Sequence, residues 1–277
     1  MKYELFFDAT RTKTVTVLLW DEASKHCAVI DSVLDYDQFS GRTYTDSIEK
    51  LTSFIKQNGL KLEWILETHI HADHLTASHH LKQTLGGKIA IGKNITTVLE
   101  YWKNVFEDEE IKTSGEDFDK LFEDGEEFKV GSLPIKVIHT PGHTPACIAY
   151  YVAGHLFVGD TIFSPTVGTA RTDFPGGSAA ELYRSIQKIF NLPEETKIIV
   201  GHDYPNDITK PNMVTTVEEE KKSNVLINKN TSFEEFVKKR EEKQKNSAVP
   251  MLILPSLHVN LRAGRLPKFI KIPVNKI

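Results

Sequence analysis

The sequence is poor in cysteine and lacks any long hydrophobic run. Only Cys27 and Cys147 occur among 277 residues, which excludes a disulfide scaffold and makes a reducing, cytoplasmic location the expectation. No apolar run approaches the roughly 18 residues needed to cross a bilayer, so we expect no membrane partner. The first residues, MKYELFFD, carry an early acid and no long apolar segment, so we expect neither a secretory signal nor a transit peptide.

The sequence also lacks a strong excess of charge of either sign. The formal net charge is -4, with 26% charged and 40% hydrophobic residues, which is ordinary for a globular chain. Nothing in this balance indicates binding to nucleic acid or to an anionic membrane surface. The length favours one large α/β domain with a C-terminal extension.

Strand and helix patterns alternate along the chain. The runs TVTVLLW (14–20) and HCAVID (26–31) predict a hairpin, and LEWILE (62–67) predicts a buried strand. Apolar residues at helical spacing predict a helix over 45–57. The other predicted helices span about 73–85, 95–106, 179–190, 218–222 and 233–245, and the other predicted strands span 88–91, 127–130, 135–139, 146–152, 156–159 and 197–200.

Three regions of the sequence lack a clear hydrophobic face. Residues 107–127 are acidic and predict a surface excursion, and the charged helices at 218–222 and 233–245 are expected to be solvated. From Val249 onward the tail contains four prolines, which predicts an extended cover rather than a packed helix. The two sets of strand-then-helix predict two sheets packed face to face with helices outside.

The segment Thr68-His69-Ile70-His71-Ala72-Asp73-His74 is the strongest candidate site. Three imidazoles and a carboxylate at this density are costly unless a cation lies between them, and a divalent metal fits. The alternation of His69 and His71 after a strand directs both imidazoles to one side. Asp73 and His74 follow where the chain turns, so the segment can serve two adjacent metal positions. A solvated histidine-rich turn is the weaker interpretation.

Later strand ends supply further candidate ligands. His143 follows a Pro-Gly turn that presents it rather than burying it. Asp160 ends an apolar strand after Gly159, which permits close approach, and this placement fits a metal ligand. His202 follows the strand KIIV. His139 lies within a strand and is expected to be structural.

The order His-x-His-x-Asp-His, Pro-Gly-His-Thr, Gly-Asp and Gly-His-Asp-Tyr resembles the metallo-β-lactamase superfamily over about residues 12–205. The resemblance implies an α/β fold, a four-layer αββα sandwich with the metal site between the sheets at one edge. It implies a single domain over 1–277 in which about 206–277 form a C-terminal cover. In binuclear members one metal would be held by His69, His71 and His143, a second by Asp73, His74 and His202, with Asp160 bridging.

A finer pattern resembles the persulfide dioxygenases, in particular a bacterial type often called β-lactamase-like hydrolase. It consists of ETHIHADH (67–74), GTARTDF (168–174), HDY (202–204) and TTVEEE (215–220). The resemblance implies one non-haem Fe(2+) per chain, held by His69, His143 and Asp160, with Zn(2+) as the alternative. It implies oxidation of glutathione persulfide, or of another small persulfide, by O2 to sulfite and thiol, in a homodimer.

The same resemblance suggests roles for the remaining residues. Asp73 and His74 are assigned catalytic roles in orienting ligands and bound water, with His71 and His202 as supporting or second-metal residues. The suggested substrate anchors are Arg171, Tyr204 and Arg262. The guanidinium of Arg171 could hold a substrate carboxylate bidentately, and a surface salt bridge is its alternative role.

Two other functions stay open. A binuclear glutathione thioester hydrolase, similar to glyoxalase II, uses the same seven ligands, so the ligand set alone does not exclude it. A metal-binding or sulfur-sensing protein without turnover is less favoured, because a complete ligand set lies beside a candidate anion anchor.

Overall fold

The computed structural model describes residues 1–274 of the protein, and this part contains fifteen strands and seven helices. The strands are β1 (Lys2–Phe7), β2 (Val15–Trp20), β3 (His26–Ile30), β4 (Val33–Asp37), β5 (Arg42–Tyr44), β6 (Lys61–Leu66), β7 (Leu75–Thr76), β8 (Lys88–Gly92), β9 (Lys120–Phe122), β10 (Glu127–Val130), β11 (Leu133–His139), β12 (Ile148–Val152), β13 (His155–Phe157), β14 (Lys197–Ile199) and β15 (Val214–Thr216). The helices are α1 (Asp46–Gln57), α2 (Ser78–Leu85), α3 (Ile95–Phe106), α4 (Ala179–Phe190), α5 (Val217–Ser223), α6 (Phe233–Gln244) and α7 (Ile253–Asn260). The single-domain span of 1–277 stays a prediction, and its last three residues lie outside the described part.

Most of the strands form two mixed sheets of six. The first has the order β1-β2-β3-β6-β8-β9 and changes from antiparallel to parallel pairing at β3. The second has the order β10-β11-β12-β13-β14-β15, and its β13–β14 pair is parallel. A smaller sheet has the order β5-β4-β7. The predicted hairpin is confirmed as the antiparallel pair β2–β3.

Three apolar clusters show how the layers stack. Between the sheets, Val17 and Ile30 of the first sheet share one cluster with Val137 and Tyr150 of the second. Helices α1, α2, α3 and α7 contribute to a cluster on the outer face of the first sheet. Helices α4, α5 and α6 contribute to the cluster on the outer face of the second. The expected four-layer αββα sandwich is therefore confirmed.

The C-terminal region differs from its prediction. Residues after Val249 include the packed helix α7, whose Leu257 is 3% exposed in the core cluster of the first sheet. Pro255 lies in the first turn of α7, where its missing N–H removes no intrahelical hydrogen bond. Helices α5 and α6 form as predicted, but Glu220 and Arg240 on them are buried, so these helices are not simply solvated.

Two other segments also differ from their predictions. Helix α2 begins at Ser78 rather than near Asp73, because the candidate ligand loop and β7 come first. The acidic segment 107–127 contains β9 and buries Phe118, so it is not only a surface excursion. Among residues 1–274, no helix has both the length and the apolar character needed to cross a membrane.

Replacing Leu257 by alanine tests whether α7 belongs to the core. We expect Leu257→Ala to lower the free energy of unfolding by about 2–5 kcal/mol, because the change leaves a cavity in a buried cluster. The same change at Leu266, which is 53% exposed, is the matched control and should cost less than about 0.5 kcal/mol. Denaturant titration measures both, and equal effects would contradict a packed α7.

Candidate metal centre

Two histidines and an aspartate from three separate strand ends meet at one edge of the sandwich. His69 follows β6, His143 follows β11, and Asp160 follows β13. One ligand atom from each lies within 4.8 Å of the other two. The Nε2 atom of His143 is 3.9 Å from an oxygen of Asp160. Residues that are far apart in the sequence therefore converge on one point.

A second group of side chains lies beside the first. The ligand atoms of His71, Asp73 and His74 also lie within 4.8 Å of one another. The Nε2 atom of His202 is 3.4 Å from an oxygen of Asp73 and 3.4 Å from an oxygen of Asp160. His202 thus lies between the two groups, and the structure brings together all seven predicted ligands.

Unpaired buried atoms show that these residues fit a metal. Nε2 of His69, Nδ1 of His71, Nε2 of His74 and Oδ1 of Asp160 are buried without a hydrogen-bond partner. Buried polar groups are normally paired, so this concentration of unpaired donors and acceptors is costly. A divalent cation accepts lone pairs from imidazole nitrogen and carboxylate oxygen together, and it would satisfy the cluster.

Hydrogen bonds on the far side of two imidazoles determine which nitrogen faces the centre. His143 donates from Nδ1 to the carbonyl oxygen of Arg171 at 2.7 Å, and His74 donates from Nδ1 to the carbonyl oxygen of Leu75 at 3.2 Å. Because a carbonyl oxygen only accepts, Nδ1 carries the proton in both rings. Their Nε2 lone pairs are therefore available to a metal.

Asp31 supports two further histidines. Its Oδ1 lies 3.0 Å from Nε2 of His71, and its Oδ2 accepts a hydrogen bond from the Thr68 hydroxyl at 2.8 Å. That hydroxyl lies 3.0 Å from Nδ1 of His69. One buried carboxylate thus orients His71 directly and His69 through Thr68. A second carboxylate, Glu67, lies 3.4 Å from Nε2 of His71.

The surroundings shift the imidazole pKa values in opposite directions. Burial, reinforced by neighbouring imidazoles, lowers the pKa of His69 well below its ordinary value, and burial also lowers the pKa of His143. Burial acts on His71 in the same sense, but Asp31 and Glu67 outweigh it and raise its pKa. Since neutral imidazole is the form that binds metal, His69 and His143 are suited to be ligands.

Gly159 allows the strand end at Asp160 to approach the histidine loop. Its φ of +50° lies in the left-handed region, and a Cβ there would lie 2.1 Å from the hydroxyl oxygen of Thr68. No side chain fits this space. The expectation that a glycine before Asp160 permits close approach is confirmed.

The sequence matches the family model described as the metallo-beta-lactamase superfamily over residues 9–202. The chain belongs to this superfamily. It is 47% identical over 279 residues to "Glyoxylase B2" of Dictyostelium discoideum, covering 97% of this chain and 96% of that protein. It is 33% identical to human "Persulfide dioxygenase ETHE1, mitochondrial", covering 81% of this chain and 75% of that protein. The crystal structure of ETHE1 from Myxococcus xanthus superposes with a TM-score of 0.77 at 28% identity, covering 96% of this chain and 100% of that chain.

The C-terminal helix of this superfamily member holds the ligand loop. Asn260 of α7 donates from Nδ2 to the carbonyl oxygens of His71 and His74, both at 2.8 Å, and its Oδ1 accepts from the Thr76 N–H at 2.8 Å. No sequence motif predicted the role of Asn260 or of Asp31, although Asp31 ends an apolar strand just as Asp160 does.

Arg262, predicted as a substrate anchor, is instead buried and bound within the fold. Its side chain is 1% exposed, donates to Asp108 at 2.6 Å and donates to the carbonyl oxygen of His258 at 2.7 Å. The guanidinium therefore ties α7 to the segment after α3 and does not line the cavity beside the metal centre. The motif that contains it contributes to the site through Asn260 instead.

A cavity of about 420 Å³ opens at the metal centre. The predicted site residues that line it are Asp73, His143, Asp160, Arg171, His202 and Tyr204. His74 is buried and does not line this cavity, and its predicted catalytic role stays a prediction. A separate cavity of about 350 Å³, between β1 and α1, contains none of the candidate ligands.

Arg171 lines the cavity, but its guanidinium already pairs with a carboxylate of the protein. Nε and Nη2 donate to the two oxygens of Asp173 at 2.6 and 2.7 Å, and Nη1 donates to the carbonyl oxygen of Ala248 at 2.6 Å. The salt bridge, the alternative role predicted for Arg171, is the one observed. Tyr204 is 57% exposed and its ring stacks on His202 at a centroid distance of 6.1 Å, so its surface is available to a ligand.

Asn260→Ala tests the support of the ligand loop by α7. The change leaves three backbone groups of the loop unpaired, so we expect metal affinity to fall by about 10- to 100-fold while the overall fold persists. Asn230→Ala, at an exposed position before α6, is the matched control. Chelator competition measures the affinity, and unchanged affinity in Asn260→Ala would refute this role.

Proposed function

We propose that the protein is a persulfide dioxygenase that binds one Fe(2+) through His69, His143 and Asp160. The observation that carries the proposal is the convergence of these three ligand atoms within 4.8 Å. Two imidazoles and one carboxylate are the donor set typical of non-haem iron oxygenases. The similarity to relatives named persulfide dioxygenase ETHE1, and to the solved structure titled ETHE1, supports the proposal.

The donor set is suited to the overall reaction. Bound there, Fe(2+) would supply open coordination positions for a persulfide sulfur and for O2. A persulfide, O2 and one water give a thiol, sulfite and two protons, with glutathione persulfide as the expected substrate. Phe163 and Phe174 line the same cavity and give part of its wall an apolar surface.

Asp73 is suited to orient a water molecule in this reaction. Its carboxylate lines the cavity and is partly exposed. Burial acts to raise the pKa of Asp73, but three neighbouring imidazoles, led by His202, lower it below its ordinary value. Asp73 therefore stays ionised near neutral pH, and its oxygens can accept a hydrogen bond from a water molecule and orient it.

A binuclear thioester hydrolase is the second candidate function. The group of His71, Asp73 and His74 could hold a second metal, such as Zn(2+), beside the first. The relative named "Glyoxylase B2" favours this alternative. The two functions therefore differ in whether the second group is occupied. The homodimer and the cytoplasmic location stay predictions.

Metal content and oxygen uptake distinguish the two functions. We expect the purified protein to contain about one iron per chain and to consume O2 with glutathione persulfide, releasing sulfite. Metal analysis, an oxygen electrode and sulfite detection measure this. Two metals per chain with cleavage of S-lactoylglutathione, and no O2 consumption after iron reconstitution, would overturn the proposal.

Asp160→Ala tests the ligand assignment itself. The change removes the only anionic member of the proposed ligand set, so we expect the variant to lose at least about nine-tenths of its iron. Asp46→Ala, at an exposed position in the first turn of α1, should retain it. Metal content is measured together with circular dichroism, and normal iron content in a folded Asp160→Ala variant would contradict the assignment.

A further inference from the structure

Helix α6 and the loop that follows it form part of the wall of the metal-centre cavity. Arg240, Lys243, Ser247 and Pro250 line the cavity that also contains His143 and Asp160. The loop is fastened there because the carbonyl oxygens of residues 247 and 248 accept hydrogen bonds from Arg171. A substrate whose sulfur reaches the metal ligands therefore has its other end within reach of this wall.

Arg240 is a buried cation that forms no direct ion pair among residues 1–274. Its side chain is 4% exposed, Nη1 donates to the carbonyl oxygen of Thr169 at 2.9 Å, and Nε is buried without a hydrogen-bond partner. Asp173 acts on the guanidinium electrostatically, but both oxygens of Asp173 already accept hydrogen bonds from Arg171. A buried charge without a closely paired counter-charge is costly, so this arrangement is suited to an anion supplied by a ligand.

Lys243 adds a second unmatched cation to the same wall. It lies one helical turn after Arg240, and among the described contacts its ammonium donates only to the carbonyl oxygen of Val167, at 3.4 Å. Of the three cations that line the cavity, Arg171 alone forms a direct ion pair, with Asp173. Arg171 and Arg240 thus share the single negative charge of Asp173. Together with Lys243, this wall has an excess of two positive charges within residues 1–274.

We propose that Arg240 and Lys243 bind an anionic group, a carboxylate or a phosphate, at the far end of the thiol carrier whose sulfur is presented to the metal centre. The placement of the sulfur rests on the proposed function, but the anion subsite does not require oxidation. A cavity of about 420 Å³ has the size of a site for a small peptide thiol. The subsite would select acidic thiol carriers over neutral ones.

Binding measurements on the metal-loaded protein test the subsite without relying on turnover. The probes are glutathione, glutathione diethyl ester and coenzyme A, titrated by calorimetry. We expect Lys243→Gln to weaken glutathione binding by about threefold and Arg240→Gln by at least about tenfold. Lys238→Gln removes the same charge from an exposed position on α6 outside the cavity and should have no effect. The diester should bind weakly to every variant.

The three probes also identify the anion. Loss of coenzyme A binding in Lys243→Gln, with glutathione unaffected, would support the subsite and assign it to phosphate. The subsite would be overturned if Arg240→Gln and Lys243→Gln bound all three probes as tightly as the control Lys238→Gln does. This conclusion would hold even if the protein consumes O2 with persulfide. Conversely, charge-dependent binding without O2 consumption would retain the subsite and reject the dioxygenase function.

Discussion

One buried carboxylate, Asp31, holds two of the candidate ligands in place. Asp31 accepts a hydrogen bond from the Thr68 backbone N–H at 2.8 Å and contacts both the Thr68 hydroxyl and His71. Through these contacts it determines where two imidazoles point before any metal binds. Without this support, the imidazoles of His69 and His71 would be free to rotate, and the preorganised geometry of the site would be lost.

The C-terminal helix α7 connects the sandwich to the metal centre, because it packs on the first sheet and also binds the ligand loop. The carboxyl ends of strands in both sheets deliver ligands to one edge, but the loop after β6 has little regular structure of its own. Asn260 supplies the hydrogen bonds that this loop cannot make internally, and α7 is in turn held by its apolar packing against the first sheet. The region expected to be a cover is thus part of the metal centre.

Sequence patterns predicted the parts of this site that depend on local structure, and they missed the parts that depend on contacts between distant residues. The candidate ligands His69, His143 and Asp160 follow strand ends, where short sequence motifs indicate the local geometry. The four-layer fold is predicted by the alternation of strands and helices. Asn260 and Arg240 lie in segments whose local patterns predict a tail and a solvated helix. Their roles arise only from packing against residues about 190 and 70 positions earlier in the chain, which no local pattern encodes.

The candidate metal ligands and the proposed anion subsite lie in different parts of the cavity. The ligand set is compatible with a dioxygenase or with a binuclear hydrolase, because His71, Asp73 and His74 can support the first metal or bind a second. The proposed anion subsite assigns substrate choice to Arg240 and Lys243, which contribute no metal ligand. Because Asp173 already pairs with the guanidinium of Arg171, the charges of α6 would be the ones that distinguish thiol carriers. Changes in α6 could therefore alter the carrier that is recognised while the metal centre keeps the same geometry.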